Sequence, residues 1–301
     1  MPVLELSESL GGIIPPMVVP FDVEGKLDEE SFKKEARYLL DYGIQGISVG
    51  GSTGEGAMLT NSEIIRCNEL LVECNDKSIP VYGGIIKNAT SDVIEVGKAL
   101  KTIGVDVLLI TPVFYHGATE RENFEFFRQL SDELRMPIII YNVVQSNLIT
   151  PVEFLKISKL DWVIGIKQVE PIKLAELVSL SDNNFRVFAA CDQLLFGCYA
   201  SGACGMISAL ATVMPEACLL QWNAFRNGDY LKAIKIQKIL LPVVMSYFIK
   251  PYPSKVKALV NLQGRSGGFS RHPLGVPDND LLVDMKFQLE KAHSRINALS
   301  L

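Results

Sequence analysis

A single lysine ends one of the apolar segments of this chain. Lys167 directly follows the apolar run at 163–166, which is typical of a buried strand. An apolar setting disfavours the charged form of an amine, and a neutral amine attacks a ketone to form a Schiff base. We therefore take Lys167 as the candidate nucleophile. The alternative is an ordinary lysine whose stem lies on the sheet while its head reaches solvent.

Two other apolar runs also end in polar groups. Tyr141 closes the run at 137–140, and a phenol in such a position can relay a proton. Ser52 and Thr53 lie among glycines at 50–54. Glycine permits close backbone approach, and consecutive amide donors beside two hydroxyls form a cradle for a carboxylate. A plain turn and a core tyrosine with a locally satisfied hydroxyl are the alternatives that these residues leave open.

These residues belong to a regular alternation of apolar runs and helical segments. Eight runs predict strands, at 12–19, 46–50, 81–86, 105–111, 138–144, 163–167, 186–191 and 202–208. Residues of helical period lie between them, as in Phe124, Phe127, Leu130 and Leu134. Eight such units favour an α/β fold, a (β/α)8 TIM barrel, in which chemistry lies at the carboxyl ends of the strands. The rival is an open doubly wound sheet, but neither G-x-G-x-x-G nor G-x-x-x-x-G-K-[ST] occurs.

The pattern changes to helices alone after about residue 214. Candidate helices lie at 231–248, 254–262 and 281–299. We predict a barrel domain over 1–225 and a C-terminal three-helix extension over 226–301, packed on the barrel as a single structural unit.

Charge and composition limit the ligands. The chain has 29 Lys and Arg against 34 Asp and Glu, a net charge of −5, and no basic run exceeds two residues. These features argue against nucleic-acid and membrane partners and favour a small molecule. No apolar run of about 18 residues and no signal peptide is present, so we expect a cytoplasmic protein. The six cysteines and three histidines lack metal-ligand spacing, so we expect reduced cysteines and no metal.

Six motifs in order carry a family resemblance. They are PMVVPF at 16–21, GSTGE at 51–55, TP at 111–112 with Tyr115, YNV at 141–143, GIK at 165–167 and GACGMIS at 202–208. In order and spacing the chain resembles the dihydrodipicolinate synthase and N-acetylneuraminate lyase superfamily of pyruvate-dependent class I aldolases and lyases.

The resemblance implies four catalytic residues. Lys167 would form the Schiff base, and Tyr141 would relay protons. Thr53 would be the hydroxyl that links Tyr141 to a second tyrosine, Tyr115, which the family usually lends from a neighbouring subunit. A homodimer or homotetramer is therefore expected.

The resemblance also implies a substrate site. Ser52 and Thr53 would hold the carboxylate of a 2-oxo acid through their amides and hydroxyls. Ile207 would offer a backbone carbonyl near the lysine, and Asp192 would bind substrate hydroxyls. The covalent imine would need no cofactor.

Three departures from the family's patterns concern the second substrate. Lysine-pathway synthases carry an arginine where this chain has Ser146, so a cation for a second carboxylate is missing. Sialic acid lyases carry a threonine where Val169 stands, and an acidic pair where Asp192 and Gln193 stand.

We therefore predict a Schiff-base-forming lyase or aldolase, acting on carbon-carbon or carbon-oxygen bonds of pyruvate or a longer 2-oxo acid. Its second substrate would be a 2-keto-3-deoxy sugar acid or a hydroxy-oxo acid. Two alternatives stay open. They are a true 4-hydroxy-tetrahydrodipicolinate synthase and a catalytically inactive barrel that binds a 2-oxo acid.

Overall fold

A computed structural model describes residues 9–76, 78–181, 184–248 and 250–300. Its sheet contains eight parallel strands in the order β1-β8-β7-β6-β5-β4-β3-β2. A parallel bridge between Pro16 and Ser48 joins the first strand segment to the second and completes the ring. The strands are β1 (Gly12–Ile14), β2 (Ile47–Val49), β3 (Val81–Ile85), β4 (Val107–Ile110), β5 (Ile138–Asn142), β6 (Val163–Gln168), β7 (Arg186–Ala189) and β8 (Gly205–Ile207). The predicted TIM barrel is confirmed, with most strands shorter than the apolar runs.

Helices follow the strands around the outside of the barrel. They are α1 (Glu29–Leu40), α2 (Asn61–Asn75), α3 (Thr90–Ile103), α4 (Glu120–Leu134), α5 (Pro151–Ile157), α6 (Pro171–Ser179), α7 (Leu195–Ala200), α8 (Ala209–Val213) and α9 (Pro215–Arg226). Capping boxes at Thr60, Thr119 and Thr150 begin α2, α4 and α5. In each box the threonine hydroxyl accepts from an amide and the glutamate three residues on reaches back, which satisfies donors that a helix start leaves unpaired.

The predicted C-terminal extension is also confirmed. Its helices are α10 (Tyr230–Tyr247), α11 (Tyr252–Leu262) and α12 (Asn279–Ser300). Helix α10 packs on α9 and α12, while α11 contacts the turn Ser52–Gly54 that follows β2. The extension therefore reaches the carboxyl ends of the strands.

The hydrophobic core has two layers. Side chains such as Ile14, Tyr82, Leu109, Ile139 and Phe188 form a cluster inside the barrel, and a larger cluster lies between the strands and the helices. Because side chains alternate along a strand, every strand except β2 contributes to both clusters, and β2 contributes Ile47 and Val49 to the outer one. The filled interior leaves chemistry to the strand ends.

Within the described residues, no helix has the length and apolar character needed to cross a membrane.

Candidate active site

A cavity of about 450 Å³ opens at the carboxyl ends of the strands. Residues at the carboxyl ends of β5, β6 and β8 and in the loops after β2 and β5 to β8 line it, together with two residues at the junction of α10 and α11: Ser52, Thr53, Tyr141, Val143, Gln145, Lys167, Val169, Glu170, Ala190, Asp192, Gln193, Ile207, Ser208, Ala209, Phe248 and Tyr252. Six of the seven residues that the sequence pointed to lie in this cavity. It is large enough for a small metabolite.

Lys167 and Tyr141 meet inside the barrel. Lys167 on β6 is paired in register with Tyr141 on β5, so both side chains point to the same face. Only 4% of Lys167 and 6% of Tyr141 is exposed. The Nζ atom of Lys167 lies 3.7 Å from the centroid of the Tyr141 ring. The phenol therefore stands next to the amine, where it can pass a proton to a group bound there.

The turn after β2 corrects one assignment. The Tyr141 hydroxyl donates to the Oγ atom of Ser52, at 3.2 Å. The family resemblance predicted that the Thr53 hydroxyl contacts Tyr141, and this part of the prediction is wrong. Ser52 and Thr53 are consecutive in a short 3-10 turn (Ser52–Gly54), so their side chains leave it in different directions. The Thr53 hydroxyl instead lies 3.4 Å from the hydroxyl of Tyr252 on α11.

Tyr115 is not brought to this cavity within the chain. Its side chain is 79% exposed, and its ring packs edge-on against His116 at 4.8 Å between centroids. The backbone amides of Phe114 and Tyr115 point to the Oδ1 atom of Asn88. The loop thus presents Tyr115 outward.

Asp192 is the centre of a buried hydrogen-bond network. Its Oδ2 atom accepts from the Tyr247 hydroxyl at 2.5 Å, and its Oδ1 atom accepts from the Ser208 hydroxyl. Gln237 donates to its backbone carbonyl at 3.1 Å. Burial raises the pKa of Asp192, although both hydroxyls and the charge of Lys167 act in the opposite direction. Each carboxylate oxygen thus already has a protein donor, and Asp192 has less capacity for substrate hydroxyls than the sequence suggested.

A buried ion pair holds the turn after β2. Glu55, the residue after the turn, has φ 58° and pairs with Lys257 of α11 at 2.5 Å, with side chains 0% and 2% exposed. The backbone amide of Arg271 donates to the other oxygen of Glu55 at 2.9 Å, and Lys257 also donates to the carbonyl of Phe269 at 2.7 Å. Burial lowers the pKa of Lys257 to about 8, against the opposing charge of Glu55. The left-handed residue is therefore fixed from the side of the extension.

The outer cavity is poor in positive charge. Among the lining residues that the structure describes, Lys167 is the one cation. Ser146 is exposed and lies outside the lining. Its hydroxyl donates to the carbonyl of Phe114 at 2.6 Å. Neutral Gln145 and Gln193 and the acidic Glu170 take the polar positions instead.

Sequence reasoning missed the contributions of the extension. Tyr247, Phe248, Tyr252 and Lys257 lie on or beside two helices that carry no strand-end signal. In the sequence they read as ordinary amphipathic positions. A clue was present in the cluster of aromatic and proline residues at 247–253, which marks a break between helices.

All six cysteines are unpaired thiols. No cluster of three or more His, Cys, Asp or Glu residues able to hold a metal ion is found in the described parts of the chain.

The barrel and the lysine buried at the end of its sixth strand define a (β/α)8-barrel enzyme. Comparison with known proteins gives its family. A model of the dihydrodipicolinate synthetase family matches residues 9–292. The chain therefore belongs to the dihydrodipicolinate synthetase family and is a lyase of that family.

Relatives and solved structures agree with this placement. The chain is 31% identical over 268 residues to 4-hydroxy-tetrahydrodipicolinate synthase of Methanothrix thermoacetophila, which covers 87% of this chain and 90% of the relative. It is 31% identical over 266 residues to the enzyme of that name from Enterococcus faecalis, covering 87% and 92%. The dihydrodipicolinate synthase structure from Bacillus anthracis superposes with a TM-score of 0.89 at 27% identity, covering 93% and 97%.

Proposed function

We propose that this protein is a Schiff-base-forming lyase or aldolase that acts on pyruvate or a longer 2-oxo acid through Lys167. The observation that carries the proposal is the buried amine 3.7 Å from the ring of a phenol whose hydroxyl contacts Ser52. A nucleophile, a proton carrier and an acceptor for that proton thus stand in contact in one cavity.

The reaction proceeds in balanced steps. The lone pair of neutral Lys167 adds to the ketone carbon, and Tyr141 protonates the former ketone oxygen. The added nitrogen then loses one proton to the Tyr141 phenolate, Tyr141 passes that proton to the same oxygen, and the oxygen leaves as water to give a protonated imine. In aldol cleavage the imine accepts the electron pair of a carbon-carbon bond beyond the 2-oxo carbon, and the Tyr141 phenolate takes the hydroxyl proton of the departing fragment, which becomes an aldehyde. In dehydration the imine accepts the electron pair of a C–H bond, whose proton goes to Tyr141, and the enamine so formed expels a hydroxyl, which takes that proton and leaves as water. Protonation of the enamine after cleavage, and hydrolysis of the imine in both cases, return the free lysine and the shortened or dehydrated acid. Tyr141 exchanges the protons with Ser52.

The carboxylate of the 2-oxo acid would lie at the turn after β2. The amides and hydroxyls of Ser52 and Thr53 would supply donors there, and Ile207, which ends β8 and lines the same cavity, would offer its backbone carbonyl. The imine serves as the electron sink, so the proposed chemistry uses neither a metal nor an organic cofactor.

We propose that the second substrate carries no carboxylate besides that of a 2-oxo acid. A bidentate arginine is the usual protein partner of such a group, and the cavity lining offers no cation besides Lys167 in the described residues. A 2-keto-3-deoxy sugar acid or a hydroxy-oxo acid fits the neutral and acidic lining. The runner-up is 4-hydroxy-tetrahydrodipicolinate synthesis, because the curated relatives carry that name.

We further propose a homodimer or homotetramer, in which the exposed Tyr115 serves the site of a neighbouring subunit. A cytoplasmic location stays a prediction.

Borohydride trapping tests the proposal. The protein is incubated with pyruvate and borohydride, and its intact mass is measured beside Lys167→Ala and Lys156→Ala. Lys156 is an exposed lysine on α5 that pairs with Glu120. We expect one reduced pyruvate on the wild type and on Lys156→Ala, and none on Lys167→Ala. An adduct that survives in Lys167→Ala refutes the assignment. A wild type that traps neither pyruvate nor longer 2-oxo acids would support the inactive barrel.

A further inference from the structure

Tyr252 places a second phenol in the cavity. It is the first residue of α11, lines the cavity and is half-buried. Its hydroxyl lies 3.4 Å from the Oγ1 atom of Thr53, whereas strong O–H···O bonds span about 2.5–3.0 Å. The two hydroxyls therefore interact only weakly, and the phenol can turn its hydrogen to a better acceptor, such as a carboxylate.

The surrounding contacts fix the Tyr252 ring. The ring packs edge-on against Tyr247, at 6.1 Å between centroids. One and a half turns further along α11, Lys257 is joined to Glu55 in the buried ion pair. Helix α11 is thus held against the same turn that carries Ser52 and Thr53. The phenol has little freedom to move away, so it is preorganised for a ligand.

The ionisation of Tyr252 distinguishes a donor from a proton shuttle. Burial raises its pKa well above 10, and the charges of Asp192 and Tyr141 act in the same direction. A general acid or base works best with a pKa near the working pH. Tyr252 stays protonated instead, which suits a hydrogen-bond donor.

An anion in this cavity needs neutral donors. Lys167 is the one cation of the described lining, and in the proposed reaction its nitrogen is committed to the imine. Asp192 and Glu170 add negative charge to the same lining. The hydroxyls of Ser52 and Thr53 and the Tyr252 hydroxyl beside them offer a group of neutral donors to a carboxylate in this cavity.

We propose that Tyr252 donates its hydroxyl hydrogen to the carboxylate of the 2-oxo acid, beside Ser52 and Thr53. It thereby selects 2-oxo acids over neutral ketones. This assignment rests on the proposed function, because the ketone must be the one that Lys167 attacks.

A pair of ligands isolates the carboxylate in the test. Acetone replaces the carboxylate of pyruvate with a methyl group and still forms an imine. Half-saturating concentrations for borohydride trapping are measured for both ketones in the wild type and in Tyr252→Phe. Tyr230→Phe is the control, because Tyr230 is 53% exposed on α10 and does not line the cavity. Loss of a hydrogen bond to a charged group corresponds to about a 10- to 100-fold weaker binding of the ligand.

We expect Tyr252→Phe to raise the half-saturating pyruvate concentration about 10- to 100-fold and to leave that of acetone unchanged. An equal change for both ketones overturns the assignment, since it indicates a structural role. No change for pyruvate overturns it as well. If Tyr252→Phe folds poorly, Tyr252→Leu takes its place, because it also lacks the donor. It should show the same ratio of the half-saturating pyruvate concentration to the half-saturating acetone concentration. A wild type without a pyruvate adduct refutes the proposed function, and this assignment with it.

Discussion

Lys257→Met should destabilise the protein strongly. The substitution keeps an unbranched apolar side chain of similar reach but without the terminal ammonium, and it leaves the Glu55 carboxylate, which is 0% exposed, without its partner at 2.5 Å. Removing one member of a buried pair costs about 3–5 kcal/mol. Taking about 2 °C per kcal/mol, the low end for a large domain, Tm falls by about 6–10 °C. Thermal unfolding followed by circular dichroism measures this, with chemical denaturation for the free energy.

Two matched variants make the comparison decisive. Lys98→Met removes a cation from a pair with Glu133 that is 2.8 Å long but more than half exposed on both sides, and such pairs contribute about 0–1 kcal/mol. Combining Lys257→Met with Glu55→Gln removes both charges and keeps an acceptor for the Arg271 amide. The double variant should be more stable than Lys257→Met alone. A loss in Lys257→Met no larger than in Lys98→Met would show that the pair is not held dry, and the reasoning would fail.

Three further predictions concern Tyr141, Asp192 and Glu63. Tyr141→Phe should slow turnover about 10²- to 10⁴-fold, the range for losing a positioned acid or base, and steady-state kinetics that match the wild type would refute its role. Asp192→Asn should cost about 1–3 kcal/mol in denaturant unfolding, because one carbonyl oxygen cannot serve the two hydroxyl donors that the carboxylate accepts from. Hydrogen bonds from Arg271, and to a smaller extent from Thr60, lower the pKa of Glu63 from 4.5 to about 2, against the opposing effect of burial. The stability they give is present above pH 4.5 and is lost as the pH falls towards 2. Glu63→Gln should therefore be less stable than the wild type by about 1 kcal/mol at pH 7. The difference should shrink in acid, and one that stays constant from pH 7 to 2.5 would contradict the assignment.

Periodicity was sufficient to predict the barrel. A parallel strand covered on both faces must be apolar throughout, and each capping box marks a helix start by local chemistry. Lys167 and Tyr141 could be placed together for the same reason, since both end strands of one sheet and neighbouring strands end at one edge. These features depend on local sequence.

The contact of Ser52 with Tyr141 depends on more than local sequence. Which of two consecutive hydroxyls faces the tyrosine is set by the rotation of one 3-10 turn, and that turn is fixed by Glu55 and its distant partner on α11. The role of Tyr252 could not be predicted either, because Tyr252 and Thr53 are 199 residues apart in the sequence. Long-range packing decides both.

The two helices α10 and α11 also limit which segments of the chain can be exchanged between related proteins. Each supplies a partner to a buried carboxylate of the barrel: Tyr247 to Asp192, and Lys257 to Glu55. If a chimera joined the barrel of one relative to the extension of another, both contacts would be lost wherever the partners do not match. The carboxylates of Asp192 and Glu55 would then be buried without these partners. Chimeras between relatives should therefore tolerate exchange of surface loops more readily than exchange of the extension. The eight β/α repeats and these two helices should therefore be exchanged together.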